Sequence, residues 1–202
     1  SGITLQTNGK VITKRIAITG NNNTVRGFTV TDPNANNGFQ VEGNFNLIEN
    51  NEIYHTKQDG IWFFGHDNTF RGNYIHDILD PSVANQDPTY DEHADCFQTW
   101  DWAWDTYNVL FENNICDHNR DEGSNQIFMI SGNRVSNITI RGNRFIMRDA
   151  GYSPVALYGG NGYLIENNYI CNTTNAGSVA VYLAGGKNVT LKNNEWAGYS
   201  SF

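Results

Sequence analysis

The residues best suited to acid–base chemistry lie in residues 90–98, which read Tyr-Asp-Glu-His-Ala-Asp-Cys-Phe-Gln. His93, Asp95 and Gln98 bring an imidazole, a carboxylate and an amide into one short segment, and such groups can donate or remove a proton in a reaction. A strand would direct His93 and Asp95 to the same face, because they are two residues apart. As a structural alternative, Asp95 could cap a strand and His93 could anchor a loop.

Basic side chains near this segment suit chemistry beside a substrate carboxylate. Lys57, His93 or Arg120 could act as the base, while a cation or a metal ion neutralises the carboxylate. That combination is what a polysaccharide lyase or a uronate epimerase requires. Each of these residues alone could equally belong to a solvated corner with local ion pairs.

The carboxylates of the same region allow two other hypotheses. Asp95 paired with Asp59 or Glu122 could form the two-carboxylate centre of a glycoside hydrolase, whose spacing decides the stereochemistry. Asp91, Glu92 and Asp95 could instead bind Ca²⁺ through hard oxygen ligands. No EF-hand spacing is present, so we expect no required cofactor and keep calcium as an alternative.

Aromatic residues recur in a series of short apolar segments and suggest a sugar-binding surface. The candidate substrate-binding residues are Trp62, Gln98, Trp100, Arg148, Tyr158 and Tyr182. Sugar rings stack on Trp and Tyr, and exposed aromatic patches usually bind a partner. A non-catalytic carbohydrate-binding or surface protein would need only this strip.

A repeated phrase must position these residues. Its template is an apolar residue, a charged residue, Asn or Gly, Asn, a variable residue and an apolar residue. The copies occupy residues 48–53, 70–75, 111–116, 140–145, 165–170 and 191–196, and a variant with Phe28 in place of the Asn precedes them. A repeat of 20 to 30 residues indicates a solenoid, here a parallel β-helix.

The repeat predicts which side chains stack on one another. The second Asn of each phrase should form a hydrogen-bonded ladder, with these members: Asn51, Asn73, Asn114, Asn143, Asn168 and Asn194. The last residue of each phrase should form an inward column: Ile53, Ile75, Cys116, Phe145, Ile170 and Trp196.

A second strand series follows each phrase and supplies the aromatic strip. Its inward residues should be Val41, Phe63, Ile130, Leu157 and Leu183. Its solvent-facing residues should be Gln40, Trp62, Gln98, Met129, Ala156 and Tyr182, beside Glu42, Phe64, Trp100, Ser131, Tyr158 and Ala184. Just before these strands, His55 and His118 should line a groove with the ionisable residues named above.

The repeat is interrupted once, by a step of 41 residues between Asn73 and Asn114. We therefore predict an inserted loop at about residues 78–95. Long insertions in solenoids commonly carry binding residues or chemistry. The insertion ends in the segment with His93 and Asp95, which makes it the first place to look for a site.

Composition narrows the class of protein. The 202 residues suit a single domain over 1–202, and the net charge of −8 with a pI near 4.9 argues against nucleic acid as a partner. No apolar run reaches the roughly 20 residues that span a bilayer. We expect a monomer that is secreted or at the cell surface, with its signal peptide outside this sequence.

Three cysteines, Cys96, Cys116 and Cys171, cannot all pair with one another. Cys116 and Cys171 should lie two coils apart, about 10 Å, which is too far for a disulfide. We therefore predict that both are small buried hydrophobic residues.

The Asn phrase and the Gly-ended strands resemble the right-handed parallel β-helices of the pectate-lyase-like superfamily. The resemblance covers nearly the whole chain and implies an all-β, single-stranded right-handed parallel β-helix of about seven to eight coils. It also implies a polysaccharide substrate, since most members are lyases, hydrolases or uronate epimerases. Gly65-His66-Asp67 only partly matches the Gly-His-Gly of polygalacturonases, and the Arg-x-Pro-x-x-Arg motif of pectate lyases is absent.

Overall fold

The computed structural model describes residues 2–78, 94–102, 105–118, 126–148, 153–174 and 177–201. These residues form strands and turns, and none of them is in a helix. The strands are β1 (Thr4–Thr13), β2 (Ile16–Ile18), β3 (Thr24–Val30), β4 (Asn37–Val41), β5 (Leu47–Glu49), β6 (Glu52–Ile53), β7 (Asp59–Phe63), β8 (Thr69–Arg71), β9 (Tyr74–His76), β10 (Phe97–Trp100), β11 (Thr106–Glu112), β12 (Ile115–His118), β13 (Phe128–Ser131), β14 (Val135–Arg141), β15 (Arg144–Met147), β16 (Val155–Leu157), β17 (Asn161–Glu166), β18 (Tyr169–Asn172), β19 (Gly177–Val179), β20 (Val181–Leu183), β21 (Lys187–Lys192), β22 (Glu195–Ala197) and β23 (Tyr199–Ser201).

All strands except β19 and β23, which pair with each other, wind into three parallel faces, so the predicted parallel β-helix is confirmed. Face 1 contains β1, β3, β5, β8, β11, β14, β17 and β21, and face 2 continues from β3 through β6, β9, β12, β15, β18 and β22. Face 3 contains β2, β4, β7, β10, β13, β16 and β20. Over the described residues this gives about six turns, slightly fewer than the predicted seven to eight coils. That residues 1–202 form one domain stays a prediction.

The corner between faces 1 and 2 is built by the repeated phrase. Its first Asn or Gly adopts the left-handed backbone, with φ of 55° at Asn50 and 61° at Gly72. Its second Asn is buried and donates to the Asn of the next coil, for example from Asn73 Nδ2 to Asn114 Oδ1 at 3.1 Å. The same bond continues through Asn143 and Asn168 to the last coil. The predicted Asn ladder is confirmed.

A second, shorter ladder stabilises the corner between faces 3 and 1, where the sequence reading did not place one. Asn23 Nδ2 donates to Asn46 Oδ1 at 3.0 Å, and the Asn46 N–H donates to Asn68 Oδ1 at 2.8 Å. Asn46 and Asn68 are buried. The amide side chains of this ladder satisfy backbone groups that a tight corner would leave without partners.

The charged position of the phrase alternates in sign from one coil to the next. In register order the column reads Arg26, Glu49, Arg71, Glu112, Arg141, Glu166 and Lys192. Glu112 lies between two arginines, 2.6 Å from Arg71 Nε and 2.8 Å from Arg141 Nη2. Burial by itself would raise the pKa of Glu112, but hydrogen bonds from Arg141 and Arg71 outweigh it and hold that pKa below its ordinary value. We call this column the charge ladder.

The core is a stack of apolar side chains between the three faces. Every described member of the two predicted inward columns is buried except Trp196 and Leu183, which are 46% and 49% exposed. The prediction was wrong for these two residues because they belong to the last stacked strands of their faces, β22 and β20. No further described strand pairs with these two strands to cover them.

The cysteine prediction was wrong on pairing. Cys96 and Cys116 form a disulfide with Cα atoms 6.3 Å apart, and both are fully buried. Cys96 immediately precedes β10 of face 3 and Cys116 lies in β12 of face 2, whereas the prediction considered only cysteines stacked on one face. Cys171 is only half-buried, since it shares the outward column of Ile146 on face 2.

The inserted loop is described only at its ends. Ile78 and Ala94 are buried in the core, while residues 79–93 lie outside the described part of the chain. Among the described residues there is no helix with the length and apolar character needed to cross a membrane.

Candidate functional site

Four aromatic residues gather on the outer side of face 3, and we call them the aromatic cluster: Trp62, Phe64, Trp100 and Trp102. The Trp100 ring meets Trp62 edge to face at 5.0 Å and Phe64 at 4.9 Å. Trp102 completes the group, 5.8 Å from Trp100 and 52% exposed. Trp62 and Trp100 are half-buried, so their remaining surface is open to a ligand.

Phe64 is buried, at 1% exposure, and its predicted exposure was wrong. Its ring contacts Trp100, and Trp102 lies 6.3 Å away. Aromatic edge-to-face pairs stabilise an arrangement beyond the area that they bury. Phe64 therefore supports the two tryptophans from below instead of meeting a ligand itself.

The predicted register of face 3 is correct along its outward column. Gln40, Trp62, Gln98, Met129, Ala156 and Tyr182 pair in that order. Gln98 and Ala156 are buried, so their predicted exposure was wrong. Gln98 lies between Trp62 and Met129 on the adjacent strands, with its Nε2 3.4 Å from Met129 Sδ.

Tyr158 and Tyr182 form a second aromatic site on face 3. Their ring centroids are 5.8 Å apart, and the side chains are 41% and 46% exposed. Gln126 Nε2 donates to the Tyr158 hydroxyl at 3.0 Å, which fixes the first ring. Together with the aromatic cluster, this pair places aromatic side chains at both ends of the stretch of face 3 from β7 to β20, with Met129 and Ser131 of β13 between them.

Two buried carboxylates follow the edge of face 3 and connect its coils. Asp59 accepts from the Trp62 indole N–H and from the backbone N–H of Asp95 at 2.7 Å. Asp95 in turn accepts from the backbone N–H of Gln126 at 2.8 Å. Asp59 and Asp95 are at most 1% exposed. They bridge coils as the ladder asparagines do, and Asp59 orients Trp62.

His118 does not lie in an open groove, and that prediction was wrong. It is 1% exposed, and its Nε2 lies 2.9 Å from the Ala94 carbonyl oxygen. The reason is strand parity, because His118 is two residues after the buried Cys116 in β12 and so shares its inward direction. His55 is half-buried in the turn before β7, with φ of 49°.

The two basic candidates that the structure describes occupy different places. Lys57 is half-buried before β7, and its backbone N–H donates to the Ala35 carbonyl at 2.9 Å. Arg148 forms a two-pronged pair with Asp117 of face 2, with both distances at 2.9 Å. The hydrogen bonds and charge of Asp117 raise the pKa of Arg148. Arg148 is therefore engaged with face 2, while the aromatic residues lie on face 3.

The other candidates predicted from the sequence fall outside the described residues: Asp91, Glu92, His93, Arg120 and Glu122. Of the proposed calcium ligands, only Asp95 is described. Within the described ranges, no group of three or more His, Cys, Asp or Glu side chains could hold a metal ion.

A pocket beside Trp62 contains residues that the sequence reading did not select. It has a volume of about 500 Å³ and is lined by Arg15, Ala17, Asp32, Asn34, Ala35, Asn36, Asn37 and Trp62. The dense amides of residues 34–37, which lead into the first residue of β4, were a usable sequence signal. Their place beside the aromatic strip depends on the coil register, which puts β2 beside β4 and β4 beside β7.

The fold and the solenoid register define a β-helix protein with an aromatic outer face. Residues 14–170 match the family model described as right handed beta helix region, and the chain belongs to this family. The family assignment supplies the handedness and names no enzymatic branch. No curated protein and no solved structure gives a significant match.

Proposed function

We propose that this protein is carbohydrate-active and binds a polysaccharide along face 3. The observation that carries the proposal is the aromatic cluster, in which Trp62 and Trp100 are held edge to face and remain half-open. From β7 to β20 the face spans four strand steps, about 19 Å. That length suits several consecutive sugar rings, which stack on indole and phenol surfaces.

The reaction we propose is that of a lyase or epimerase on a uronate-containing polymer. His93, Lys57 or Arg120 would remove the proton beside the uronate carboxylate, and a cation would stabilise the developing charge. No resident metal is needed for this chemistry. A hydrolase using Asp59 and Asp95 fits less well, because both carboxylates are buried and bonded to backbone N–H groups.

The hydrogen bonds that tie Asp59 and Asp95 to backbone N–H groups favour a second candidate function, a non-catalytic carbohydrate-binding solenoid. If the carboxylates of the described residues serve only the scaffold, the aromatic strip alone performs the function. We also propose a secreted or cell-surface location, which the Cys96–Cys116 disulfide supports. Disulfides persist mainly in oxidising compartments.

The test uses a panel of uronate and neutral polysaccharides. Ultraviolet absorbance from unsaturated ends identifies a lyase, new reducing ends without absorbance identify a hydrolase, and NMR of the polymer detects epimerisation. Parallel reactions with EDTA test the calcium alternative at Asp91, Glu92 and Asp95. Binding without product in any reaction supports the binding solenoid, and the absence of binding refutes the proposal.

Variants separate binding from chemistry. Trp62→Ala and Trp100→Ala should each weaken polysaccharide binding about fivefold, the value of one lost aromatic contact of about 1 kcal/mol. Tyr74→Ala is the matched control, because Tyr74 is a 39% exposed aromatic on face 2. His93→Ala should abolish product formation and leave binding unchanged if His93 is the base.

A further inference from the structure

The pocket beside Trp62 has one guanidinium whose partners are neutral amides. Arg15 Nε donates to Asn37 Oδ1 at 2.9 Å, and its Nη2 donates to Gln40 Oε1. Asn37 is 1% exposed, so it is a fixed anchor for the exposed arginine. Two of the five N–H donors of Arg15 are used in this way, and three remain for a ligand.

No carboxylate among the described residues forms an ion pair with Arg15. Asp32 also lines the pocket, but its Oδ1 accepts from the Asn34 backbone N–H at 3.2 Å. Other arginines of the described chain do pair with acids, as Arg71 and Arg141 do in the charge ladder and Arg148 does on face 2. The positive charge of Arg15 is thus available to an anionic ligand.

The remaining walls suit a sugar. Trp62 closes one side and is the first residue of the aromatic cluster, so a ring in this pocket would continue the strip. Asn34 and Asn36 are exposed and offer amide donors and acceptors for hydroxyl groups. A planar guanidinium binds a carboxylate through two parallel hydrogen bonds.

We propose that this pocket is the subsite that binds the carboxylate of a uronate residue, with Arg15 as the carboxylate-binding group and Trp62 as the stacking surface. The inference rests on the proposed function, since it assigns one acidic sugar unit of the polysaccharide to one place on face 3. It assigns Arg15 to binding and gives it no role in proton transfer.

The experiment is calorimetric titration with tetramers of galacturonate, mannuronate and guluronate and with their carboxyl-reduced counterparts. Arg15→Gln should weaken binding of at least one uronate tetramer about tenfold, as expected for a lost charged hydrogen bond. The carboxyl-reduced tetramer should bind the variant and the unmodified protein equally. Arg15→Lys keeps the positive charge but lacks the planar guanidinium, so its affinity for the uronate tetramer should lie between those of Arg15→Gln and the unmodified protein.

Arg144→Gln is the matched control, because Arg144 is exposed on face 2 over the Tyr169 ring at 5.1 Å. Circular dichroism checks that each variant keeps the β-helix. If Trp62→Ala weakens uronate binding and Arg15→Gln does not, the subsite is refuted and the proposed function stands. Equal losses for uronate and carboxyl-reduced tetramers also refute the subsite. If the unmodified protein binds none of the tetramers or polymers, the proposed function itself fails.

Discussion

Asn114 lies in the middle of the Asn ladder, and its replacement by alanine should strongly destabilise the solenoid. The side chain is 0% exposed and donates to the Phe70 carbonyl and to Asn143 Oδ1, both at 3.0 Å. It also accepts from Asn73 through the backbone N–H at 3.0 Å and through Nδ2 at 3.1 Å. Four buried hydrogen bonds at about 1 kcal/mol each give an expected loss of about 4 kcal/mol.

Asn194→Ala is the matched control at the end of the same ladder. Its side chain accepts two bonds from Asn168 and donates one to the Ile165 carbonyl, but it is only half-buried. Water can replace these partners, so we expect a loss of about 1 kcal/mol. The residue type and the repeat position are the same, and three hydrogen bonds at Asn194 compare with four at Asn114, so most of the expected difference between the two losses comes from burial.

Guanidinium unfolding followed by circular dichroism and tryptophan fluorescence measures both losses. Coincident transitions are required before a single free energy of unfolding is assigned. A loss below about 1 kcal/mol for Asn114→Ala, with an unchanged denaturant slope, would refute a structural role for the ladder. Equal losses for the two variants would refute the claim that burial sets the magnitude.

Three further predictions concern the disulfide, the charge ladder and a strained corner. The variant with both Cys96→Ala and Cys116→Ala should lose about 3 kcal/mol of stability, as expected for a closed loop of about 20 residues. Thiol titration of the unmodified protein, denatured without reductant, should find Cys171 alone. Three free thiols would contradict the disulfide. Glu112→Gln should destabilise the protein at neutral pH. Because the pKa of Glu112 is lowered in the folded protein, the stability that its carboxylate adds is present above the ordinary pKa of 4.5 and is lost as the pH falls through the pKa of the folded state. A difference in unfolding free energy between the two proteins that stays constant from about pH 7 to about pH 3 would contradict the ion pairing. Phe45→Asn should raise the unfolding free energy by about 1 kcal/mol, since Phe45 has φ of 57° and is 53% exposed, and the left-handed region is costly for bulky residues. The Phe45 ring meets the His66 ring edge to face at 5.3 Å, and a lower thermal midpoint for the variant would show that this contact matters more than the strain.

The sequence predicted the fold well because the repeated phrase carries its physical cause in each copy. Gly or Asn supplies the left-handed corner and the following Asn supplies the ladder, so the register could be counted directly. The alternating signs of Glu49, Arg71 and Glu112 were also visible in the phrase, yet their pairing becomes apparent only when coils are stacked. Exposure at Trp196 was missed because the repeat pattern does not show which copy lacks a covering neighbour.

The site was less predictable, because neighbouring side chains bury some of its residues and because other contacts join residues that are far apart in sequence. Alternation correctly placed Phe64 and Gln98 on the outer side of face 3 but could not show that neighbouring side chains bury them. His118 was misplaced because the prediction did not take into account that it shares the inward parity of Cys116 in β12. Arg15 was not considered at all, since its partners Asn37 and Gln40 are more than twenty residues away in sequence.

The charge ladder makes the number of coils matter in pairs. Deleting the single coil that contains Arg71 would place Glu49 directly beside Glu112, so two acids would face each other where an ion pair now lies. Deleting the coils of both Arg71 and Glu112 would place Glu49 beside Arg141 and restore the alternation. Shortening or lengthening this solenoid should therefore be tolerated better in even steps than in odd ones, whether by design or by natural duplication.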